Sequence, residues 1–381
     1  MVYESLLSGV NCSHTNDNYL LQRYSVRITV ATTCFLSMIG ATLVMLSFIC
    51  FKTMRSPTRL ILFNIAIMDF LVAFSNFFGD VGNFESYYIN TTALHSACLK
   101  DGVYPSEDML QTPPSYINSM CISQAFLAMY STLSSVLWTS GLAVYLYFSI
   151  SHSGTRKGLF SLAISFIISY VMPLGICLWA LLTHKLGYSP YNAASWCALI
   201  IYNPDTNTVD KYVAIFGYNL WIYLTIVLTV VIYIGLRLYL ADQEKKTSQF
   251  VTQKKFWDSV HNMDYKFMLI PVFFILLRIW SCISDIMMFA DVDMDDIPSG
   301  VTLTLLILSG IGDSGQGLIN GLLFVVLTKT VRQHMLNAFT CRWRKISFTF
   351  RNSQVQSAES PRAFSDERTP FWSSYEEINY S

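Results

Sequence analysis

The sequence predicts an all-α membrane protein: a seven-transmembrane helix bundle with a short amphipathic cytoplasmic helix. Three observations predict it. The 381 residues are 53% hydrophobic and only 13% charged, with mean hydropathy +0.41, whereas soluble domains carry about 25% charge. Charge-poor runs, each long enough to cross a bilayer core as helix, lie near 28–51, 59–79, 119–150, 159–182, 212–240, 267–290 and 300–327. Lys and Arg gather in alternate connections between those runs, the bias that fixes orientation in a membrane.

The third run, 119–150, is read as the central pillar. It contains no Lys, Arg, Asp or Glu, and its middle is built of Ser131, Thr132, Ser134, Ser135, Thr139, Ser140 and Gly141. Small residues let helix backbones approach where lipid supplies no hydrophobic drive, so this helix is expected to be enclosed by others. Cys121 marks its upper end; Tyr145, Tyr147 and Phe148 mark its lower end.

One set of connections holds Lys52, Arg55 and Arg59, then Arg156 and Lys157, then Lys245, Lys246, Lys254 and Lys255, and last Lys329, Arg332, Arg342, Arg344 and Lys345. The opposite set holds Arg23, Arg27, Lys100, Lys185 and Lys211, with acidic Asp291, Asp293, Asp295 and Asp296. The basic set is expected on the cytoplasmic side. An odd number of crossings then puts the amino terminus outside, as expected of a multi-pass plasma-membrane protein. Residues 1–25 lack the apolar core of a signal peptide, so the first span is expected to direct its own insertion. Two glycosylation acceptors, Asn11-Cys-Ser and Asn90-Thr-Thr, fall on the outer side; Asn379-Tyr-Ser falls in the tail and is a chance match.

The expected division is an extracellular tail at 1–27, the bundle at 28–327, an amphipathic juxtamembrane helix at 328–345 and a disordered cytoplasmic tail at 346–381. Val331, Met335, Leu336 and Phe339 share one face of the juxtamembrane helix, and Cys341 beyond them is a candidate for lipidation. The tail is polar and Ser-rich. The connection 80–118, with Pro105, Pro113 and Pro114, is a lid or a disordered insertion.

Of nine cysteines, Cys12, Cys98, Cys121 and Cys197 fall on the outer, oxidising side, and four cysteines permit three pairings. Cys121 with Cys197 is favoured, because it would tie the pillar to the connection between the fourth and fifth spans. The alternative is two free thiols.

Ionised groups at membrane depth cost about 2.5 to 3.5 kcal/mol each on the insertion scale and need partners. Arg278, Ser281 and Asp285 form one stripe on the sixth span, Asp313, Gln316 and Asn320 another on the seventh, and Asp69 with Asn76 a third on the second. These stripes predict a polar interior, as a ligand pocket or ion-pair switch, or as a static network fixing helix packing. Arg278 is expected to pair with Asp285 or Asp313. Trp138, Trp221, Tyr223 and Trp280 are aromatic candidates for pocket walls or for packing. Pro271 predicts a kink in the sixth span, and Gly317 with Gly321 makes a GxxxG spacing in a glycine-rich seventh.

Several classes fall away. All six histidines lie in connections or tails, so no span offers the ligand set of a metal-dependent membrane hydrolase, and neither enzyme activity, metal nor cofactor is expected. No span interior carries the Lys of a retinal Schiff base. No nucleic-acid partner is expected. A transporter or channel for a small polar solute remains the alternative, although no repeated halves are visible. The arrangement favours a receptor, with the lipid bilayer, an unknown extracellular ligand and an inner-face partner.

The run from Asp264 to Ser281 (DYKFMLIPVFFILLRIWS), the run from Leu308 to Gly317 (LSGIGDSGQG), Trp138 to Ile150 (WTSGLAVYLYFSI), and Leu186-Gly-Tyr with Trp196-Cys197 carry a resemblance. Over residues 59–335 the chain resembles the orphan G-protein coupled receptor 157-like group, within the cyclic-AMP-receptor-like and secretin-like seven-transmembrane receptors. The Gln316-Gly317 pair is similar to one in the secretin class. The resemblance implies a heptahelical receptor acting through heterotrimeric G proteins, and it supports the Cys121–Cys197 bridge. Contacts to the G protein are expected near Arg156, Lys157, Lys245, Lys246, Lys254 and Lys255. The Asp-Arg-Tyr signature of rhodopsin-like receptors is absent after Tyr145, and their Asn-Pro-x-x-Tyr element is absent after Asn320.

Overall fold

Ser56 starts a helix by the usual end chemistry: its hydroxyl accepts from the Arg59 N–H at 3.4 Å, and Pro57 takes the first helical position, where a missing N–H costs nothing. The computed structural model describes residues 12–51, 56–82, 114–151, 155–188, 196–203, 208–247, 269–290 and 299–327. The chain divides into two compact units, Met1–Leu327 and Thr328–Ser381, and the described residues all belong to the first. The expected juxtamembrane helix, Cys341, Asn11, Asn90, Lys254 and Lys255 lie outside them.

The helices are α1 (Cys12–Cys50), α2 (Pro57–Gly82), α3 (Ser115–Ser151) and α4 (Thr155–Leu182), then α5 (Lys211–Ala214), a π-helical turn (Ile215–Asn219) and α6 (Leu220–Thr247), and finally α7 (Leu269–Phe289), α8 (Ser299–Ser314) and α9 (Gln316–Leu327). α5, the π turn and α6 make the fifth span, α7 the sixth, and α8 with α9 the seventh. Six helical stretches are long and apolar enough to cross a membrane, and Leu303–Ser314 is a shorter apolar helix. The fold is a seven-transmembrane bundle.

Two differences from expectation have local causes. α1 begins at Cys12 rather than 28, although its apolar stretch starts at Ser25, so helix continues past the lipid-soluble part into the region assigned to a tail. Pro271 sits in the first turn of the described α7, and the i−4 residue that its ring would oppose, Phe267, lies outside the described residues, as does the expected kink. The proline inside a helix is Pro173, in α4. The seventh span, expected continuous, is interrupted at Gly315, whose N–H still donates to Ile311 O at 2.7 Å while its own carbonyl accepts from Ile319 N at 3.1 Å. The break is therefore a single joint in a helix that keeps its hydrogen bonds on either side.

The fourth span ends in a left-handed cap. His184 has φ 53°, its N–H donates to Leu181 O at 3.1 Å, and Lys185 N–H donates to Ala180 O at 2.8 Å. Released from the helix, the chain forms β1 (Leu186–Gly187), which pairs antiparallel with β2 (Ala198–Leu199) in the register Leu186 to Leu199. β3 (Tyr202–Asn203) pairs with β4 (Thr208–Val209), and Asp210 then caps α5 by accepting from Val213 N–H at 3.2 Å. Cys197 is bonded to Cys121 across 5.4 Å of Cα separation, and its N–H donates to Gln124 Oε1 at 2.9 Å. Both attachments hold this connection down on the third span. Cys121→Ala should therefore lower surface expression, read by an amino-terminal epitope on intact cells; expression equal to wild type would show that the Gln124 bond alone suffices.

Among the long spans, α2 and α3 have the most buried apolar stretches, 61% and 56%, against 28% for α4 and 22% for α7. The third span is enclosed and the sixth is peripheral. Trp138, fully buried on α3, meets Phe166 and Tyr170 of α4 edge-on, at ring distances of 4.7 and 5.6 Å. The GxxxG pair of the seventh span packs on α1: a Cβ at Gly321 would lie 2.6 Å from Gly40 Cα and 2.7 Å from its carbonyl oxygen. Backbone meets backbone there, which only glycine permits.

Candidate functional site

The polar residues of the bundle interior fall into two clusters on either side of the Gly315 joint. Below the joint, Asp69 of α2 is buried to 3% exposure and accepts from Ser135 Oγ of α3 at 2.5 Å and from Asn320 Nδ2 of α9 at 2.7 Å. Gln316, the first residue of α9, donates through Nε2 to Ser135 Oγ at 3.0 Å and to Thr139 Oγ1 at 3.4 Å. This cluster joins the second, third and seventh spans. Its carboxylate is held by neutral donors; no described cation lies within ion-pair distance.

Above the joint, Arg278 of α7 donates through Nη1 to Asp313 Oδ1 of α8 at 2.6 Å, and Ser281 Oγ donates to the same oxygen at 2.8 Å. Arg278 is 2% exposed and Asp313 34%. Tyr218, from the π turn of the fifth span, is a further hydrogen-bonding neighbour of the guanidinium. The spans approach closely here: a Cβ on Gly312 would run into the backbone carbonyl of Leu277. Absence of a side chain at Gly312 is what lets Asp313, one residue on, reach across to Arg278.

Between the clusters Asn76 Nδ2 donates to Ser314 Oγ at 3.4 Å. The seventh-span stripe expected on one face is thus shared out: Asp313 serves the sixth span, while Gln316 and Asn320 serve the second and third. Of the two partners expected for Arg278, Asp313 is bonded and Asp285 is not. Asp285 is half-buried higher on α7. Trp280, grouped with the pocket on sequence, is 37% exposed and takes no part in either cluster, as an outward-facing ring would.

Arg156 and Lys157, expected in the connection before the fourth span, lie in the first turn of α4, and Lys245 and Lys246, expected in the connection after the fifth, lie in the last turn of α6. Sequence reasoning missed Ser135 and Thr139 as bonding partners, noting them only as small residues. It also missed Tyr170, whose hydroxyl donates to Asn64 Oδ1 at 2.6 Å, and Tyr218. The signal available for Ser135 and Thr139 was their i, i+4 spacing on a charge-free helix. Tyr218 carried none, because the π turn that aims it is invisible in the residue pattern. No metal-holding group of three or more His, Cys, Asp or Glu occurs among the described residues.

A heptahelical bundle with a disulfide-tethered connection at one end and ion-paired helices in its middle is the fold of the G-protein-coupled receptors. It matches squid rhodopsin with a TM-score of 0.57, at 13% identity, over 91% of this chain and 90% of that one. In sequence the chain is similar to G-protein coupled receptor 157 of Mus musculus, 26% identical over 322 residues, which are 83% of this chain and 86% of that protein. The Homo sapiens G-protein coupled receptor 157 is likewise 26% identical, over 82% of this chain and 84% of its own length. No family model matches the chain. By its fold the chain is a seven-transmembrane helix bundle, a multi-pass membrane protein similar in sequence to the G-protein coupled receptor 157 group.

Proposed function

We propose that the chain sits in the plasma membrane with its amino terminus outside, receives a ligand at the disulfide end of the bundle and activates a heterotrimeric G protein at the other. The ligand pocket lies between the upper halves of the third, fifth, sixth and seventh spans. Arg156, Lys157, Lys245, Lys246, Lys254 and Lys255 meet the G protein, and Asn11 and Asn90 carry glycans. Residues 328–345 lie along the inner membrane surface, anchored through Cys341, and 346–381 form a tail in the cytoplasm. The charge bias of the connections supports this orientation.

One observation carries the reading. The Gly315 joint lies between a cluster that binds the sixth span to the seventh and a cluster that binds the seventh to the second and third. A ligand that shifts Arg278, Ser281 or Asp313 acts on the peripheral sixth span directly, and on the enclosed spans only through the joint. Movement of a loosely held helix against a fixed core is a two-state element that an external ligand can bias.

The test is a G-protein activation panel in cells, with basal signal read against expression level. Expression-dependent activation of at least one Gα class is the expected result. Uptake of a small polar solute with no G-protein response would replace the receptor with a transporter.

A further inference from the structure

The disulfide-tethered connection reaches beyond the third span. Leu199, the last residue of β2, lays its side chain against the π turn of the fifth: a Cβ on Gly217 would lie 2.9 Å from Leu199 Cδ2 and 3.5 Å from Trp179 Cζ3 of the fourth span. The missing side chain at Gly217 admits both. The backbone on either side of Leu199 is fixed independently, since Cys197 is bonded to Cys121 and Ile200 N–H donates to Lys185 O at 2.7 Å.

Tyr218, next in the turn, belongs to two apolar clusters at once. It packs on the outer one, where Cys197 and Leu186 of the connection stand with Cys121 and Cys177 of the third and fourth spans. It packs equally on a second cluster formed by Val136 of the third span, Ile222 of the fifth and Phe274 of the sixth. Phe274 lies one turn before Arg278 on α7. Trp221 packs on the outer cluster too, and its indole N–H donates to Phe216 O, a carbonyl of the turn, at 2.9 Å. The wide turn is therefore fastened by the connection and the fourth span, and it presents Tyr218 to the sixth.

A π turn and an α turn are discrete alternatives. Passing from one to the other moves the hydrogen-bond register by one residue and swings the attached side chains by roughly 100°. We infer that the π turn is a relay: β2 holds it in its wide form through Leu199 on Gly217, the wide form seats Tyr218 against Phe274, and a ligand that displaces β2 frees the sixth span. The inference rests on the receptor reading above and adds the route from the outer connection to the moving helix. In the arrangement described, Arg278 and Asp313 tie the sixth span to the seventh, so this is the held arrangement. Removing a contact that belongs to it raises the share of the other.

The test truncates Leu199 in the full-length protein, with Ile200→Ala as a matched truncation in the same connection; Ile200 Cδ1 would lie 3.2 Å from a Cβ on Gly187, in β1. Basal G-protein activation per surface receptor should rise at least about fivefold in Leu199→Ala, the low end of usual coupling between sites. It should stay at the wild-type level in Leu199→Met and in Ile200→Ala. Tyr218→Ala should give a similar rise, and the double variant no more than the larger single one, because both break the same relay. If Tyr218→Ala does not reach the surface, Tyr218→Leu takes its place. Hydrogen exchange across 269–290 in purified protein should quicken in Leu199→Ala and not in Ile200→Ala, a readout that needs no G protein. An unchanged or lowered basal signal in Leu199→Ala beside unchanged exchange, equal effects of Leu199→Ala and Ile200→Ala, or additive effects in the double variant would overturn the relay. Faster exchange in Leu199→Ala with no Gα class activated by any variant would support the relay and sink the receptor reading instead.

Discussion

Arg278→Ala should reach the cell surface at a small fraction of the wild-type level, and the receptor that does reach it should signal abnormally. The substitution leaves Asp313 without its cation and opens a void where a fully buried guanidinium stood. Removing one member of a buried pair costs about 3 to 5 kcal/mol; the low end applies here, because Asp313 retains partial exposure. Arg278→Ala combined with Asp313→Ala removes the stranded carboxylate and should recover much of the surface level. It should not recover normal signalling, since the sixth and seventh spans would then lack their ionic link. Surface epitope density and G-protein activation per receptor separate the two effects. Normal activation per receptor in Arg278→Ala would reduce the ion pair to a packing device.

The second large effect is expected at the seam between the first and seventh spans. Gly321→Leu would push a side chain into the backbone of Gly40, with a Cβ 2.6 Å from its Cα, and no rotamer relieves a clash between main chains. The helices must separate. Overpacking of this kind costs about 3 kcal/mol, at the upper end of its usual range, and close approach is the main attraction between helices in lipid. Surface expression should fall severely. Gly175→Leu is the matched control, because nothing lies within 4 Å of a Cβ there. Equal loss in both variants would attribute the effect to lipid insertion rather than to the seam.

Much of this bundle was legible before any coordinates, because membrane depth makes residue choice severe. The charge-free third run could only be an enclosed helix, and Arg278 had to find a carboxylate. Cys121 and Cys197 were separated from the span cysteines by the side on which they fell. What stayed hidden was geometry between helices. Asp285 and Asp313 were equivalent partners for Arg278 by spacing; the absence of a side chain at Gly312 is what brings Asp313 in. Ser135 became a hub because it stands opposite Asp69 and Gln316, a relation that no single-helix periodicity contains.

The π turn at Ile215–Asn219 divides the fifth span into a four-residue outer segment, Lys211–Ala214, and a 28-residue helix, Leu220–Thr247, each with its own phase. Leu220 N–H reaches back to Ile215 O, and the indole of Trp221 donates to Phe216 O at 2.9 Å, so the carbonyls of the wide turn find donors. A π turn holds one residue more than the α-helical turn it replaces. Deleting one residue there would rotate Lys211 away from Phe289 by roughly 100° and leave Leu220–Thr247 in place. Comparison of this span with that of any receptor lacking the wide turn accordingly requires a one-residue gap, and without it every outer position would be matched to the wrong face.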